Sequence, residues 1–432
     1  MNKKITKNTL AFFMVLIATI ATVDLNAETN GAAIAIKWTE TELAAIDRLG
    51  LHNLTQSPEL IVNKVAGDER AAELGHHLFF DQRLSRNGQV SCASCHHPDK
   101  YFTDGLETAK GLNTLRRNAP TIVGINHSNW LFLDGRADSL WSQAMQPFED
   151  KLEHGTTRTH IAHVIYNDNN LRKRYEELFG NMPDLSDKQR FPEHAAPTKN
   201  RAAMQAWRIM DKKDQKTVTN IFVNLAKAIA AYEMKLNPAS SRFDLYALRI
   251  MQDDINESDI LNKEEKAGLK LFLNKGSCVI CHSGPMFSDF GFHNIATPQL
   301  DVKKYDWGRY KGVNKLLRSH FNCNSEYNDG PDKNCDELKY IVKKREHTIG
   351  LFRTPSLRNV TKTAPYMHAG QYKTLEEVID HYEDTPKTLV GSSDLIPFPI
   401  NLNDDEKKQL LAFLKSLDSP IQTDKKFLKA PE

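Results

Sequence analysis

Two short stretches of the chain set sulfur beside imidazole: Cys92-Ala93-Ser94-Cys95-His96 and Cys278-Val279-Ile280-Cys281-His282. Cysteines at i and i+3 suit thioether bonds to the two vinyl groups of a porphyrin, and a histidine directly after the second is placed to bind the iron. The alternative for two such pairs is a four-cysteine tetrahedral zinc site. Zinc gives no reason for a histidine after each pair. The pattern therefore predicts two covalently bound c-type haems, with Cys92, Cys95, Cys278 and Cys281 as anchors and His96 and His282 as proximal ligands. The other two of the six cysteines, Cys323 and Cys335, lie in one loop. Their spacing matches no dithiol motif, so in an oxidising compartment they are expected to form a local disulfide.

The elements around the two motifs are alike. Leu78-Phe79-Phe80-Asp81 leads into the first and Gly268-Leu269-Lys270-Leu271-Phe272 into the second, while Phe102-Thr103-Asp104 and Phe287-Ser288-Asp289 follow them. Such self-similarity points to an internal duplication. The expected layout is a signal segment 1–27, an N-terminal strap 28–60, a first haem domain 61–240 and a second 241–432. Helical periodicity is clear at 67–80 and from Val218 to Leu236. Asn262 with Glu265, and Thr374 with Glu377, read as helix starts, and a last helix at 403–417 turns Leu410, Leu411, Leu414 and Leu417 inward. No stretch alternates with period two, so the expected fold class is all-α, two cytochrome c-type domains. The segment 180–216 reads as a polar excursion and 298–347 as an irregular one.

Composition narrows the function classes. With 57 basic and 55 acidic side chains the formal net charge is +2, which leaves no electrostatic footprint for nucleic acid. Lys3, Lys4 and Lys7 precede an apolar run from Leu10 to Val23, which is too short to span a bilayer comfortably. Leu25-Asn26-Ala27 offers a small-residue cleavage site, so the leader reads as a Sec-type signal peptide that sends the protein to the periplasm, with no membrane span afterwards.

With the haems placed, residues 60–420 resemble the bacterial dihaem cytochrome c peroxidase superfamily, which includes the MauG-type protein-oxidising enzymes. The likeness rests on Leu78-Phe79-Phe80-Asp81, Arg117-Asn118-Ala119-Pro120, the run from Asp134 to Leu140, the run from Thr354 to Val360, and Ala364-Pro365-Tyr366-Met367-His368. The resemblance implies two cytochrome c domains with a calcium ion between them, held by Asn118, Thr363 and Pro365. It makes the N-terminal haem the peroxide site, with Glu153 as distal acid, Gln143 as distal amide and Pro147 nearby. Splitting hydrogen peroxide needs a proton moved from one oxygen to the other, which a carboxyl group can carry.

Two departures separate branches of that family. Ordinary peroxidases close the peroxide site with a histidine a little downstream of the first haem. Here the matching stretch is Gly111-Leu112-Asn113-Thr114, no histidine lies between 98 and 126, and His127 is the nearest candidate. Ordinary peroxidases also ligate the second haem with methionine, whereas this position holds Tyr382, as in MauG-type enzymes. Phenolate stabilises oxidised iron, and thioether raises the potential. Met286 or Met367 remains the alternative ligand, with Tyr382 then a packed aromatic. The relay tryptophan usual before Asp-Gly-Arg is replaced by Leu133, with Trp130 and Trp141 nearby.

The resemblance thus implies a peroxide-dependent dihaem oxidoreductase that forms high-valent haem iron and oxidises an aromatic side chain of a partner protein. Methanobactin-operon relatives, which turn a partner's tryptophan into kynurenine, share its Trp-Leu-x-x-Asp-Gly pattern. The alternatives are a cytochrome c peroxidase fed by a small cytochrome or cupredoxin, and a dihaem electron carrier without catalysis.

Overall fold

The computed structural model describes residues 36–252, 260–299, 305–330, 335–384, 386–395 and 400–432. The leader 1–27 and the start of the strap lie outside the described residues. The structure is rich in helix. Strand among the described residues is confined to two antiparallel two-residue pairs, Asn237–Pro238 with Ile421–Gln422 and Phe292–His293 with Phe352–Arg353.

Helix Glu69–Phe80 begins at Asp68, whose carboxylate accepts the Arg70 amide, and it buries Ala71, Ala72, Leu74, Leu78 and Phe79. It crosses helix Lys212–Glu233 at Gly75, where a Cβ would stand 1.9 Å from the Ala228 carbonyl oxygen. Helix Lys263–Leu273 crosses helix Asp404–Lys415 in the same manner at Gly268, 1.9 Å from the Gln409 carbonyl oxygen. Asn262 with Glu265 and Asn403 with Glu406 close capping boxes at the starts of the second pair. Each box satisfies backbone donors that a helix start otherwise leaves unpaired.

Two apolar clusters form around these crossings. The first gathers Phe79, Phe102, Trp141, Phe148, Phe222 and Tyr232, and Cys92 and Ala93 pack against it. The second gathers Phe243, Tyr246, Phe272, Phe287 and Phe413, with Cys278 and Val279 against it. The ends of the chain cross over. Ile46 and Leu49 of helix Glu40–Leu49 belong to the second cluster, and Phe427 near the C-terminus belongs to the first. The Tyr232 hydroxyl donates to the Phe427 carbonyl at 2.7 Å, and His76 Nε2 meets the Lys429 carbonyl at 2.7 Å. A cut at residue 240 would therefore part each terminal segment from the core it completes.

Two segments are more ordered than their composition suggests. Residues 180–216 contain helix Arg201–Ile209, and Leu185, Phe191 and Ala195 are buried, because widely spaced apolar side chains pin the polar segment to the first cluster. Residues 298–347 contain helices Arg309–Arg318 and Asp336–Lys339, and Cys323 and Cys335 are disulfide-bonded with Cα atoms 5.7 Å apart. At the last helix Leu410, Leu414 and Leu417 are buried as expected and Leu411 is only half-buried, while Phe413, not among the expected residues, is fully buried.

Gly75→Ala is expected to lower stability by about 3 kcal/mol, since the methyl meets backbone and not a yielding side chain. Gly67→Ala, whose methyl meets only a Leu60 side-chain carbon at 3.7 Å, should leave the melting temperature nearly unchanged. Thermal denaturation of the two variants checks the pair.

Candidate haem and peroxide site

Each CxxCH motif lies on a short 3-10 turn, Cys92–Ser94 and Cys278–Ile280. The histidines that follow are held in one way. His96 Nδ1 lies 2.9 Å from the Phe102 carbonyl and His282 Nδ1 3.0 Å from the Phe287 carbonyl. A carbonyl only accepts, so Nδ1 carries the proton and Nε2 keeps its lone pair for a metal. Burial lowers the pKa of both imidazoles, favouring the neutral form that ligates.

Aiming those carbonyls requires left-handed backbone at bulky residues, φ 57° at Phe102 and 50° at Phe287. That conformation costs about 1–2 kcal/mol. Both rings are completely buried, and burying a phenylalanine returns about 1.5–3 kcal/mol, so burial wins. The loops are then tied down from outside. Thr121 Oγ1 donates to the Tyr101 carbonyl, and Ser356 Oγ to the Met286 carbonyl, both at 2.6 Å. Arg358, paired with Asp244 at 2.8 Å, adds a bond from Nε to the Pro285 carbonyl at 2.6 Å.

Cys92, Cys95, Cys278 and Cys281 are free thiols. Two unpaired thiols and a histidine with its Nε2 lone pair free, repeated twice, fit covalent haem. Cys281 also shares a tight cluster with Asp289 and His293. A thioether would use that sulfur, leaving His293 between Asp289 at 2.8 Å and Asp394 at 3.5 Å as an ion-paired group.

The expected distal residues fall on two successive short helices and the turn that follows them. Gln143 is on helix Leu140–Ala144, started by Ser139, and Pro147 on helix Gln146–Glu149. The chain doubles back through a bond from the His154 amide to the Pro147 carbonyl at 3.1 Å, with Glu153 inside the turn. Leu112 is fixed against it, because its amide donates to the Glu153 carbonyl at 3.0 Å and the Asn113 amide to the Leu152 carbonyl at 3.0 Å. Neither the Gln143 amide group nor the Glu153 carboxyl makes a hydrogen bond among the described residues. The Glu153 carboxyl acts electrostatically on Cys92 and Cys95, which places it within electrostatic range of the first motif. Burial pushes its pKa up to about 7 against the pull of Arg136 and Lys315. A carboxyl poised near neutrality can both take and return a proton. His127 is turned elsewhere, with Nε2 3.3 Å from Asn237 Oδ1.

Tyr382 is on helix Leu375–Asp384. Its hydroxyl has no hydrogen-bond partner among the described residues, and it lies within electrostatic range of Cys278 and Cys281. Burial holds the phenol above its ordinary pKa. Met286 is buried with its methyl directed at Gly124, so it is used in packing. Asn118 is brought to the loop carrying Thr363 and Pro365 by a bond from its amide to the His368 carbonyl at 3.0 Å. Its side-chain nitrogen donates to the Leu106 carbonyl at 2.6 Å, leaving Oδ1 without a donor. Oxygen donors of this kind suit a hard cation.

Leu133 sits where the two halves meet, its carbonyl accepting the Arg353 amide at 2.8 Å. Trp130 lies under the Arg309 guanidinium, 4.6 Å away, and Trp141 is 1% exposed within the first cluster. Arg117 binds Asp134 at 2.9 Å and Asp306 at 2.8 Å across the same junction.

Residues 69–252 match the family described as di-haem cytochrome c peroxidase. A cytochrome-c peroxidase, IdrP2, of Denitromonas iodatirespirans is 30% identical over 388 residues, 89% of this chain and 90% of the relative. This chain belongs to the dihaem cytochrome c peroxidase family. It is a peroxide-dependent dihaem oxidoreductase, and the family carries two c-type haems, one for each CxxCH. The methylamine utilization protein MauG of Methylorubrum extorquens is 27% identical over 347 residues, 80% of this chain and 77% of MauG. A crystal structure of a MauG-like protein associated with microbial copper homeostasis superposes with a TM-score of 0.55 at 26% identity, covering 84% of this chain and 92% of that one. The dihaem peroxidase BthA of Burkholderia thailandensis, at 23% identity and a TM-score of 0.58, covers 82% of this chain and 86% of its own and shares the fold.

Sequence reasoning missed Lys315, which acts electrostatically on Glu153 from helix Arg309–Arg318. No local signal marks a lysine that folding brings to a carboxyl from so far along the chain. In this dihaem peroxidase relative, the rate of reaction with peroxide is expected to rise with pH through about 7, as Glu153 loses its proton and becomes able to accept one from peroxide. Glu153→Gln should remove that dependence and slow the reaction about 100- to 10,000-fold. Stopped-flow absorbance across pH checks both.

Proposed function

We propose that the protein is a periplasmic MauG-type oxidase that draws two electrons from an aromatic side chain of a partner protein, tryptophan or tyrosine, for each hydrogen peroxide reduced to two waters. The observation that carries this reading is Tyr382, a half-buried phenol whose hydroxyl has no hydrogen-bond partner among the described residues and which lies within electrostatic range of Cys278 and Cys281, where a methionine would mark an ordinary peroxidase. The haems, when bound through Cys92, Cys95, Cys278 and Cys281, supply iron that takes peroxide and stores oxidising power. With haem bound, His96 and His282 would each hold an iron, and Tyr382 would supply a further ligand at the second haem. Asn118, with the Thr363 and Pro365 carbonyls, would hold a calcium ion between the two haem domains.

A duplicated pair of cytochrome c domains is supported by matched loops. Leu131 pairs with Ala137 and Tyr366 with Tyr372, and each loop has two left-handed residues, Phe132 and Gly135 in the first and Met367 and Gly370 in the second. Eight residues after Ser139 stands Pro147, and eight after Thr374 stands Tyr382. Proline has no donor atom for iron, so the position that would close the second haem would leave the first one open. Gln143 orients peroxide there with its amide, Glu153 moves the proton between its oxygens, and Leu112 adds an apolar wall without a ligand.

The second reading is a peroxidase that takes its electrons from a small cytochrome or cupredoxin, favoured by the 30% identity to a cytochrome-c peroxidase. Incubating the holoprotein with peroxide and a candidate partner, then measuring the partner's mass, separates the two. A mass change on one aromatic residue is expected. An unchanged partner together with fast turnover of reduced cytochrome would establish the peroxidase reading instead.

A further inference from the structure

The disulfide-closed excursion lies on the helix that bears Gln143, and its aromatic residues continue a path out of the first cluster. Trp141 is 1% exposed on helix Leu140–Ala144, within the cluster against which Cys92 and Ala93 pack. Among the described residues, its ring meets one other aromatic ring, Phe321, with centroids 6.5 Å apart in an edge contact. Phe321 in turn packs on Tyr327 at 5.7 Å. Both reach an open cleft of about 660 Å³ that is also lined by Arg158, His320, Asn324 and Ser325.

The excursion holds these two rings firmly. Cys323, disulfide-bonded to Cys335, lies between them in sequence and donates its amide to Asp138 Oδ2 at 2.7 Å, next to the Ser139 helix start. Asp329, two residues beyond Tyr327, accepts from Lys227 Nζ at 2.6 Å and from the Lys64 amide at 2.9 Å. Beneath Phe321, 5.2 Å from its ring, lies the Arg158 guanidinium, itself neutralised by Glu149 at 2.9 Å. Nothing in the peroxide chemistry at Glu153 calls for this arrangement.

We propose that Tyr327 is the surface terminus of an oxidation path running through Phe321 from Trp141, and that the cleft receives a phenol or indole side chain of the partner protein. This rests on the partner-oxidation reading above. Tunnelling weakens steeply with distance, so two ring contacts joining the haem-side core to the cleft offer a short route. Lys216 Nζ lies 4.7 Å over the Tyr327 ring and is paired with Glu326. That cation disfavours a positively charged ring, so Tyr327 gives up its phenolic proton to cleft water as its electron moves inward. The bound aromatic side chain then returns one electron and one proton to Tyr327. Two such cycles supply the two electrons and two protons that turn one hydrogen peroxide into two waters.

The test is spin trapping on the holoprotein treated with hydrogen peroxide in the absence of any partner, followed by peptide mass mapping. The nitroso adduct is expected on Tyr327, to be lost in Tyr327→Phe and weakened in Phe321→Leu, with the resting haem spectrum reporting that both variants are folded and loaded. Adducts elsewhere with Tyr327 unlabelled, or full labelling of Tyr327 in Phe321→Leu, would overturn the path. The readouts also separate this inference from the one beneath it. Labelled Tyr327 with no partner side chain oxidised would leave the path standing and remove the partner reading. A partner oxidised at the wild-type rate by Tyr327→Phe would do the reverse.

Discussion

The bond from each CxxCH histidine to a phenylalanine carbonyl is the constraint on which the rest of the structure turns. His96 and His282 can present Nε2 only if Nδ1 is held, and it is held at 2.9 and 3.0 Å by carbonyls that point inward because Phe102 and Phe287 accept left-handed backbone. Those residues tolerate it because their rings are sealed in the two cores. Core packing, loop strain and ligand orientation are therefore one linked arrangement. A change that loosens either phenylalanine would be felt at the imidazole before it was felt in overall stability.

Between the motifs the chain uses charge where the cores use packing. Arg117 joins Asp134 and Asp306, Arg309 donates to the Gly135 carbonyl at 2.7 Å, and Gly312 lets its helix approach the Asp134 carbonyl so closely that a Cβ would stand 1.9 Å away. These contacts fix the loop that carries Leu133 and, through it, the helix with Gln143. Breaking one member of a buried pair of this kind leaves a charge unmatched, typically a loss of about 3–5 kcal/mol. The crossed termini, with Phe427 in the first core and Ile46 in the second, couple the stability of the two halves further.

What was legible in the sequence follows from how local each signal is. The haem anchors are contiguous residues, and the helix starts at Asn262 and Thr374 obey rules that operate within four residues. Glu153 and Tyr382 carry no such mark. A glutamate in a turn and a tyrosine on a helix become site candidates only through family register, since their surroundings are assembled from distant segments. The polar stretch 180–216 read as a loose excursion because its few apolar residues are far apart, yet Phe191 and Leu185 are each anchored in the core. Lys315 and Phe321 were invisible for the complementary reason. Their partners, Glu153 and Trp141, lie in the other half of the chain.

The central claim is an asymmetry, with one metal position closed by Tyr382 and the other facing Pro147, Gln143 and Glu153 with no ligand. Low-temperature EPR of the as-isolated ferric holoprotein, before any reductant is added, tests it most directly. The account predicts one high-spin and one low-spin haem. Two low-spin haems would contradict it, because a side chain would then be closing the peroxide site at rest.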